Sequence, residues 1–384
     1  MKLLIYSIIV SFCLCLMASC QIDPPLYLPD KDKISIKVEL PINITDINVL
    51  WNVEYETYFD SLWYYGWDEK DEKIFGKIEY PEPTTFDIVN YYKGYSNKIQ
   101  NIEKFMVSSR IFKRQYQYGV YDMQFWSEPV TDDPTEQTIK VNEANYQYVT
   151  ATTPYERLQD GYRLYLQPEI IYSGSIADEY ISPYIEDYDY YDPVEHVYVK
   201  KFKTELYPLV YTYLIQLILK NNHNKVSGVT GSAYMSGLGN TTSVMDGNVE
   251  HGDNAVIFTT RFKDSVDYKG EKCSAVGSKL LTFGKAGLED VYGRKNVTTR
   301  AGYSGEHDKV DNKMGVGLRF VNNTDSVYYF NVTEQVNRQL SGGIITVLID
   351  CDTLKMPTDT TRHQGGIFEP YVQDYDSIIY YFEM

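Results

Sequence analysis

Short runs in which apolar and polar residues alternate recur along this chain. That two-residue period constrains the fold more than any other feature, because it turns one face of an extended strand to a core and the other to water. In KISIKVEL, Ile34, Ile36 and Val38 share one face, and Lys33, Ser35, Lys37 and Glu39 share the other. AVIFTTRF (255–262), SVYYFNV (326–332), GGIITVLI (342–349) and the terminal DSIIYYFEM (376–384) have the same character, and Gly, Asn or Asp clusters separate them. Tyrosine reinforces the reading: 38 of the 384 residues are Tyr and 15% are aromatic, and aromatic and β-branched side chains suit a pleated, half-buried surface. Helical periodicity is scarce. The best candidate, YPLVYTYLIQLILK (207–220), could be a buried helix, but its Tyr, Thr, Val and Ile content favours a long core strand. The fold expected is all-β, mostly antiparallel and built as sandwiches.

Length suggests two domains, at about 150 residues each. Between residues 150 and 205 the chain turns acidic and tyrosine-rich and is broken by Pro168, Pro183 and Pro193, with a turn at Asp192-Pro193. We read that stretch as a bridge closing an N-terminal domain over 31–205, followed by a C-terminal domain over 206–384. At the N-terminus, Lys2, the apolar run Leu3 to Met17 and the small pair Ala18-Ser19 have the layout of a secretion signal over residues 1–19. The run is too short to span a bilayer, which takes about 20 apolar residues. Met17-Ala18-Ser19-Cys20 resembles the bacterial lipobox, in which the cysteine is diacylated on sulfur, becomes the new N-terminus and is acylated there too. Met17 departs from the usual Leu. An ordinary signal peptide with a chance cysteine is the alternative. Several acyl chains give a durable anchor where one gives marginal binding. Residues 20–30, with Pro24, Pro25 and Pro29, then read as lipid anchor and extended tether.

The formal charge is −17, and removing residues 1–19 takes away only Lys2. So acidic a surface repels nucleic acid and anionic headgroups, which argues against both as partners. Beyond Cys20 only Cys273 and Cys351 remain, as two buried thiols or a disulfide, with no CxxC pair and no zinc-site spacing. No G-x-S-x-G elbow, H-E-x-x-H or phosphate-binding G-x-x-x-x-G-K-[ST] loop occurs. His196, His223, His251, His307 and His363 are scattered; His251 with Asp253 is the one tempting pair, and such loop neighbours are commonplace. Glu186, Asp187, Asp189 and Asp192 lack the order of a calcium loop and read as a solvated acidic strand. We therefore expect no catalytic residues, no metal and no cofactor. Gly228, Gly231, Gly237 and Gly239 fit turns and bulges rather than a phosphate cradle.

Trp63, Tyr64, Tyr65 and Trp67 form the densest aromatic cluster. One reading is core packing with edge cover. The other is a glycan platform on Trp63, Tyr65 and Trp67, although consecutive residues on a strand alternate sides and only about half could share a surface.

The segments 207–247, KLLTFG (279–284) and FNVTEQVNRQLSGGIITVLID (330–350), with YPEPTTFDIVNYYKG (80–94) and GVYDMQFWSE (119–128), resemble a group of Bacteroidetes outer-membrane lipoproteins. That group, a domain of unknown function, sits beside the fimbrillin and minor-fimbrial-subunit proteins. The resemblance covers nearly all of the chain after Cys20. It implies two transthyretin-like β-sandwiches behind a lipid anchor and, for the fimbrial relatives, a place in a surface filament built by strand exchange. The terminal DSIIYYFEM suits such exchange, since an unpaired strand invites pairing. Asp-Ser/Thr followed by an apolar residue or Thr resembles the O-glycosylation signal of exported proteins in this phylum. It marks Ser61, Ser265, Ser326, Thr353, Thr360 and Ser377. The function expected is that of a non-enzymatic lipid-anchored envelope protein facing outward from the outer membrane. Its role is structural or adhesive, as a fimbria-like anchor or accessory subunit. A surface glycan-binding lipoprotein using exposed aromatics is the alternative, and an envelope hydrolase comes third.

Overall fold

The computed structural model describes residues 35–43 (as backbone), 63–96, 98–130, 138–146, 148–289 and 307–357. The fold is all-β: among the described residues, strands are interrupted only by turns, two 3-10 turns and two short helices, Glu69–Phe75 and Thr333–Arg338.

The apolar run at 207–220 forms the central strand Tyr211–Lys220, buried along all but its last residue. It pairs antiparallel with Glu271–Thr282 and parallel with Gly343–Asp350, and Arg261–Tyr268 completes this four-stranded sheet beyond Glu271–Thr282. Tyr213, Ile215, Leu217 and Leu219 point into a core shared with Met235, Phe258, Leu318 and Phe330 of a six-stranded sheet. Leu214 and Ile218 point the opposite way, into a second cluster. Burial on both faces is why this strand reads as a continuous apolar run and not as an alternating one.

In the first sandwich one sheet runs Tyr207–Pro208, Tyr172–Ile181, Gly119–Ser127, Phe86–Gly94, Asn101–Val107. The other holds Ser35–Asn43, flanked by Val197–Lys201 (parallel) and Ile111–Gln115 (antiparallel). The two layers are joined at one edge by the turn from Asn101–Val107 into Ile111–Gln115, where the Phe105 and Phe112 rings meet edge to face at 5.9 Å. On the far face of the first sheet, Gln124 Nε2 donates to the Val244 carbonyl at 3.1 Å. A small sheet of Lys140–Asn142, Thr150–Thr152 and Thr241–Ser243 joins the two halves there.

Two excursions from the first half of the chain reach the second sandwich. Tyr162–Tyr165 pairs parallel with Asn254–Thr259 and brings Tyr155–Gln159 with it. Residues 63–76 lie against the four-stranded sheet. A chain border near residue 205 stays our proposal for the division into domains, with these excursions crossing it.

The glycine-rich 227–240 is strand and turn: Gly231 (φ +91°) sits in the irregularity of Val226–Ser236, and Gly237 (φ +74°) follows that strand.

Candidate functional site

The aromatic cluster at 63–67 folds as a clasp over the outer face of the four-stranded sheet. Tyr65 is 2% exposed and Trp63 is 8% exposed, their rings edge to face at 5.6 Å, above Leu214, Ile218, Val266, Ala275 and Ile344. The approach is close: a side chain at Gly277 would strike the Tyr65 ring, so only glycine fits beneath it. Gln216, fully buried midway along the central strand, accepts hydrogen bonds through Oε1 from the backbone N–H groups of Tyr64 (2.9 Å) and Tyr65 (3.1 Å). Its amide nitrogen donates to Thr346 Oγ1 at 2.9 Å. One polar residue in an apolar run thus holds the clasp's backbone.

The clasp ends in a capping box. The Asp68 carboxylate accepts from the Lys70 and Asp71 N–H groups, and Asp71 Oδ2 accepts from the Asp68 N–H at 2.9 Å, which starts the helix Glu69–Phe75. Asp71, fully buried, also meets Arg261 at 2.5 Å and Lys263 at 2.7 Å and accepts from the Tyr65 hydroxyl at 2.9 Å. The Arg261 guanidinium beside Asp68 holds that carboxyl well below its ordinary range. Burial and then Asp71 drive the Tyr65 phenol well above its own. Lys263 stands over the Tyr65 ring at 3.9 Å. An ion cluster therefore locks the aromatic segment to strand Arg261–Tyr268.

This geometry decides between the two readings of the cluster. The platform on Trp63, Tyr65 and Trp67 is corrected: Trp63 and Tyr65 present no open face, and Trp67 is half-buried against Phe75 at 5.5 Å. The physical reason is that the segment lies on an apolar sheet face, where Leu214, Ile218, Val266, Ala275 and Ile344 bury the rings that would have stood open.

Cys273 lies under the clasp and Cys351 in the second sandwich's core, both as free thiols. Burial pushes the Cys351 thiol up to about 12 and also raises that of Cys273. Of the glycosylation candidates, Ser265 and Thr353 are exposed and Ser326 is half-buried. Ser61, Thr360 and Ser377 lie outside the described residues, as do Cys20 and the terminal DSIIYYFEM. Asp192 pairs with Lys113 at 3.0 Å and Asp189 accepts from the Lys201 N–H at 2.7 Å, so this acidic run closes a turn. No group of three His, Cys, Asp or Glu among the described residues is placed to hold a metal, and no helix among them is long and apolar enough to cross a membrane.

Sequence reasoning missed a second aromatic gathering. Val120 pairs with Gly94 on one side and with Tyr180 on the other, so three strand ends meet at one rim of the first sandwich. Tyr95, Tyr118, Tyr180 and Tyr184 collect there; Tyr95 is 73%, Tyr184 50% and Tyr180 39% exposed. Their closeness shows in Tyr95, whose phenol is pushed up first by partial burial and then by Tyr180, Tyr92, Tyr118 and Tyr184. These residues come from three separate segments of the chain, and no local pattern reveals their meeting.

No family model and no curated protein matches the chain. Solved structures do. A candidate adhesin from Bacteroides ovatus is 14% identical with a TM-score of 0.48, covering 85% of this chain and 95% of its own. The fimbrial anchor protein Mfa2 from Porphyromonas gingivalis is 9% identical with a TM-score of 0.37, covering 82% and 90%. Candidate polysaccharide-binding proteins from Bacteroides thetaiotaomicron are 7% identical with a TM-score of 0.40, covering 82% and 91%.

Proposed function

We propose that this chain is a lipid-anchored protein of the outer membrane that faces outward and acts by contact, as a structural or adhesive component, without catalysing a reaction. One observation carries the reading: Met17-Ala18-Ser19-Cys20 ends an apolar leader, a proline-bearing tether follows, and the first strand, Ser35–Asn43, begins soon after. Acyl chains on Cys20 then place two β-sandwiches a short reach from the membrane. Metabolic labelling with a palmitate analogue, followed by detergent phase separation, tests it. The native chain takes up label and enters the detergent phase, and Cys20→Ser does neither. Equal partitioning of the two would refute the anchor.

Within that role, a fimbria-like anchor or accessory subunit joined by strand exchange is the finer reading, supported by the resemblance of 207–247 and 330–350 and by the strand-like character of DSIIYYFEM. Crosslinking on whole cells tests it, and a strictly monomeric protein with no crosslinked partner overturns it. A second reading, contact with glycans, is favoured by the exposed Tyr95, Tyr180 and Tyr184.

A further inference from the structure

Between the layers of the first sandwich, where Asn101–Val107 begins and Ile111–Gln115 ends, at the far end of that hairpin from its turn, lies a cleft of about 360 Å³. That volume falls at the small end of ligand pockets, which span about 300–1,000 Å³. Asn90, 2% exposed, lines its floor beside Tyr116. Neither the Asn90 amide, at either atom, nor the Tyr116 hydroxyl has a hydrogen-bond partner among the described residues. Burial raises the Tyr116 phenol and the nearby Asn90 amide draws it back down, so the two side chains are close, but they do not meet in hydrogen-bond geometry. Leaving a buried amide unpaired opposes folding, so such a group in a cleft points to something that completes it.

The rest of the lining narrows the choice. Gln100, Gln115 and Gln117 at the rim are exposed amides, each able to donate and accept in one plane. Among the described residues the charges in the lining, Arg114 and Glu103, pair with each other, and the guanidinium stacks on Phe105 at 3.9 Å. The described lining therefore carries no net charge, in a chain of formal charge −17 that repels anions. Tyr92 joins the cleft to the tyrosine rim: it lines the cavity, and its hydroxyl donates to the Tyr118 carbonyl at 2.9 Å. Tyr95, Tyr180 and Tyr184 stand exposed there, rigid rings with an apolar face and a polar tip.

We propose that this edge of the first sandwich binds a neutral glycan, with one sugar unit in the interlayer cleft and its neighbours stacked on the tyrosines at the rim. Planar amides match the vicinal hydroxyls of a sugar ring, and aromatic faces match its C–H face. The inference rests on the glycan-contact reading above and is independent of the Cys20 anchor.

Saturation-transfer NMR on the full chain in a non-glycosidic detergent tests it. The probes are neutral trisaccharides of glucose, mannose, galactose and N-acetylglucosamine, with a hyaluronan tetrasaccharide as the anionic control. Saturation is expected in at least one neutral trisaccharide and not in the anion. Asn90→Leu should weaken that binding at least tenfold while leaving the melting temperature equal or higher. Tyr95→Ser and Tyr184→Ser should each weaken it about threefold, and Tyr155→Ser, exposed on the second sandwich, should not. Should Asn90→Leu fail to fold, Gln115→Ala at the rim takes its place, with at least a threefold loss expected. If no neutral trisaccharide is bound, the glycan reading and this site fall together. If binding survives undiminished in the cleft and rim variants, the glycan reading stands and this site falls. Preference for the anion, or tyrosine variants that change oligomeric mass and leave sugar binding intact, also overturns the proposal.

Discussion

Two aromatic gatherings in this molecule have opposite fates. Trp63 to Trp67 lie within five residues and end up packed onto a sheet, Trp63 and Tyr65 buried and Tyr64 and Trp67 half-buried, while Tyr95, Tyr118, Tyr180 and Tyr184 come from three segments and end up together, with Tyr95, Tyr180 and Tyr184 exposed. Contiguous residues on an extended chain point alternately to both sides, so a dense run needs cover from a neighbour, and the clasp finds it in the four-stranded sheet. Residues at or just past the ends of adjacent strands meet at one rim, where nothing obliges them to be covered. Density of aromatics along a sequence therefore signals packing here, and the exposed rings are brought together only in space.

The sharpest way to break that contrast is to unlock the clasp. Asp71→Ala leaves Arg261 and Lys263 beside a buried void, and removing one partner of a buried ion cluster costs about 3 kcal/mol. A urea titration should show that loss, and Cys273, which lies beneath the clasp, should react faster with a thiol reagent in the native state. If stability and Cys273 reactivity both stay at the native level, the clasp is not held by this cluster. Gln216→Leu keeps the volume but orphans two backbone N–H groups, for an expected loss of about 2 kcal/mol. Chemical denaturation reads it directly, and an unchanged midpoint would mean that water replaces the amide.

Acid should act more gently. The Asp68 carboxyl is depressed in the folded protein, chiefly by Arg261, so its contribution is present above the unfolded carboxylate pKa of about 3.9 and is lost as pH falls through the depressed value. Tryptophan emission should move to the red as pH drops below about 4, and less so in Arg261→Ala, where the depressing partner is gone. The smallest effect belongs to the rim. Tyr95→Ser and Tyr184→Ser should change stability by no more than about 0.5 kcal/mol, since exposed side chains without buried partners contribute little. A loss above 1.5 kcal/mol in either would place that tyrosine in the packing and erase the contrast. Cys351, with its thiol pushed up to about 12, should resist alkylation at pH 8 in all of these variants until the second sandwich itself unfolds.

Much of the fold was legible. Alternation located strands such as Asp325–Asn331 and Gly343–Asp350, and the Tyr, Thr, Val and Ile content of 211–220 correctly outweighed its helix-like length. The glycines at 231 and 237 fell at an irregularity and a turn. Less legible was the parallel pairing of Tyr211–Lys220 with Gly343–Asp350, or of Tyr162–Tyr165 with Asn254–Thr259, because pairing direction depends on partners that no local window contains. Gln216 looked like an interruption in an apolar run, and its purpose became visible only with the Tyr64 and Tyr65 amides against it.

The residues alone determined what is local: a two-residue period that makes strands, an apolar run that stops just before Cys20, an acidic composition, and the lack of the short catalytic motifs sought. Each follows from neighbours within a few positions, where backbone geometry and composition act directly. Tertiary structure decided which aromatic rings meet solvent, which carboxylate is buried between two cations, and where an unpaired Asn90 faces a cleft. Those outcomes depend on strand ends and sheet faces brought together from positions far apart in the chain, and exposure belongs to the assembled layers and not to any residue's own chemistry.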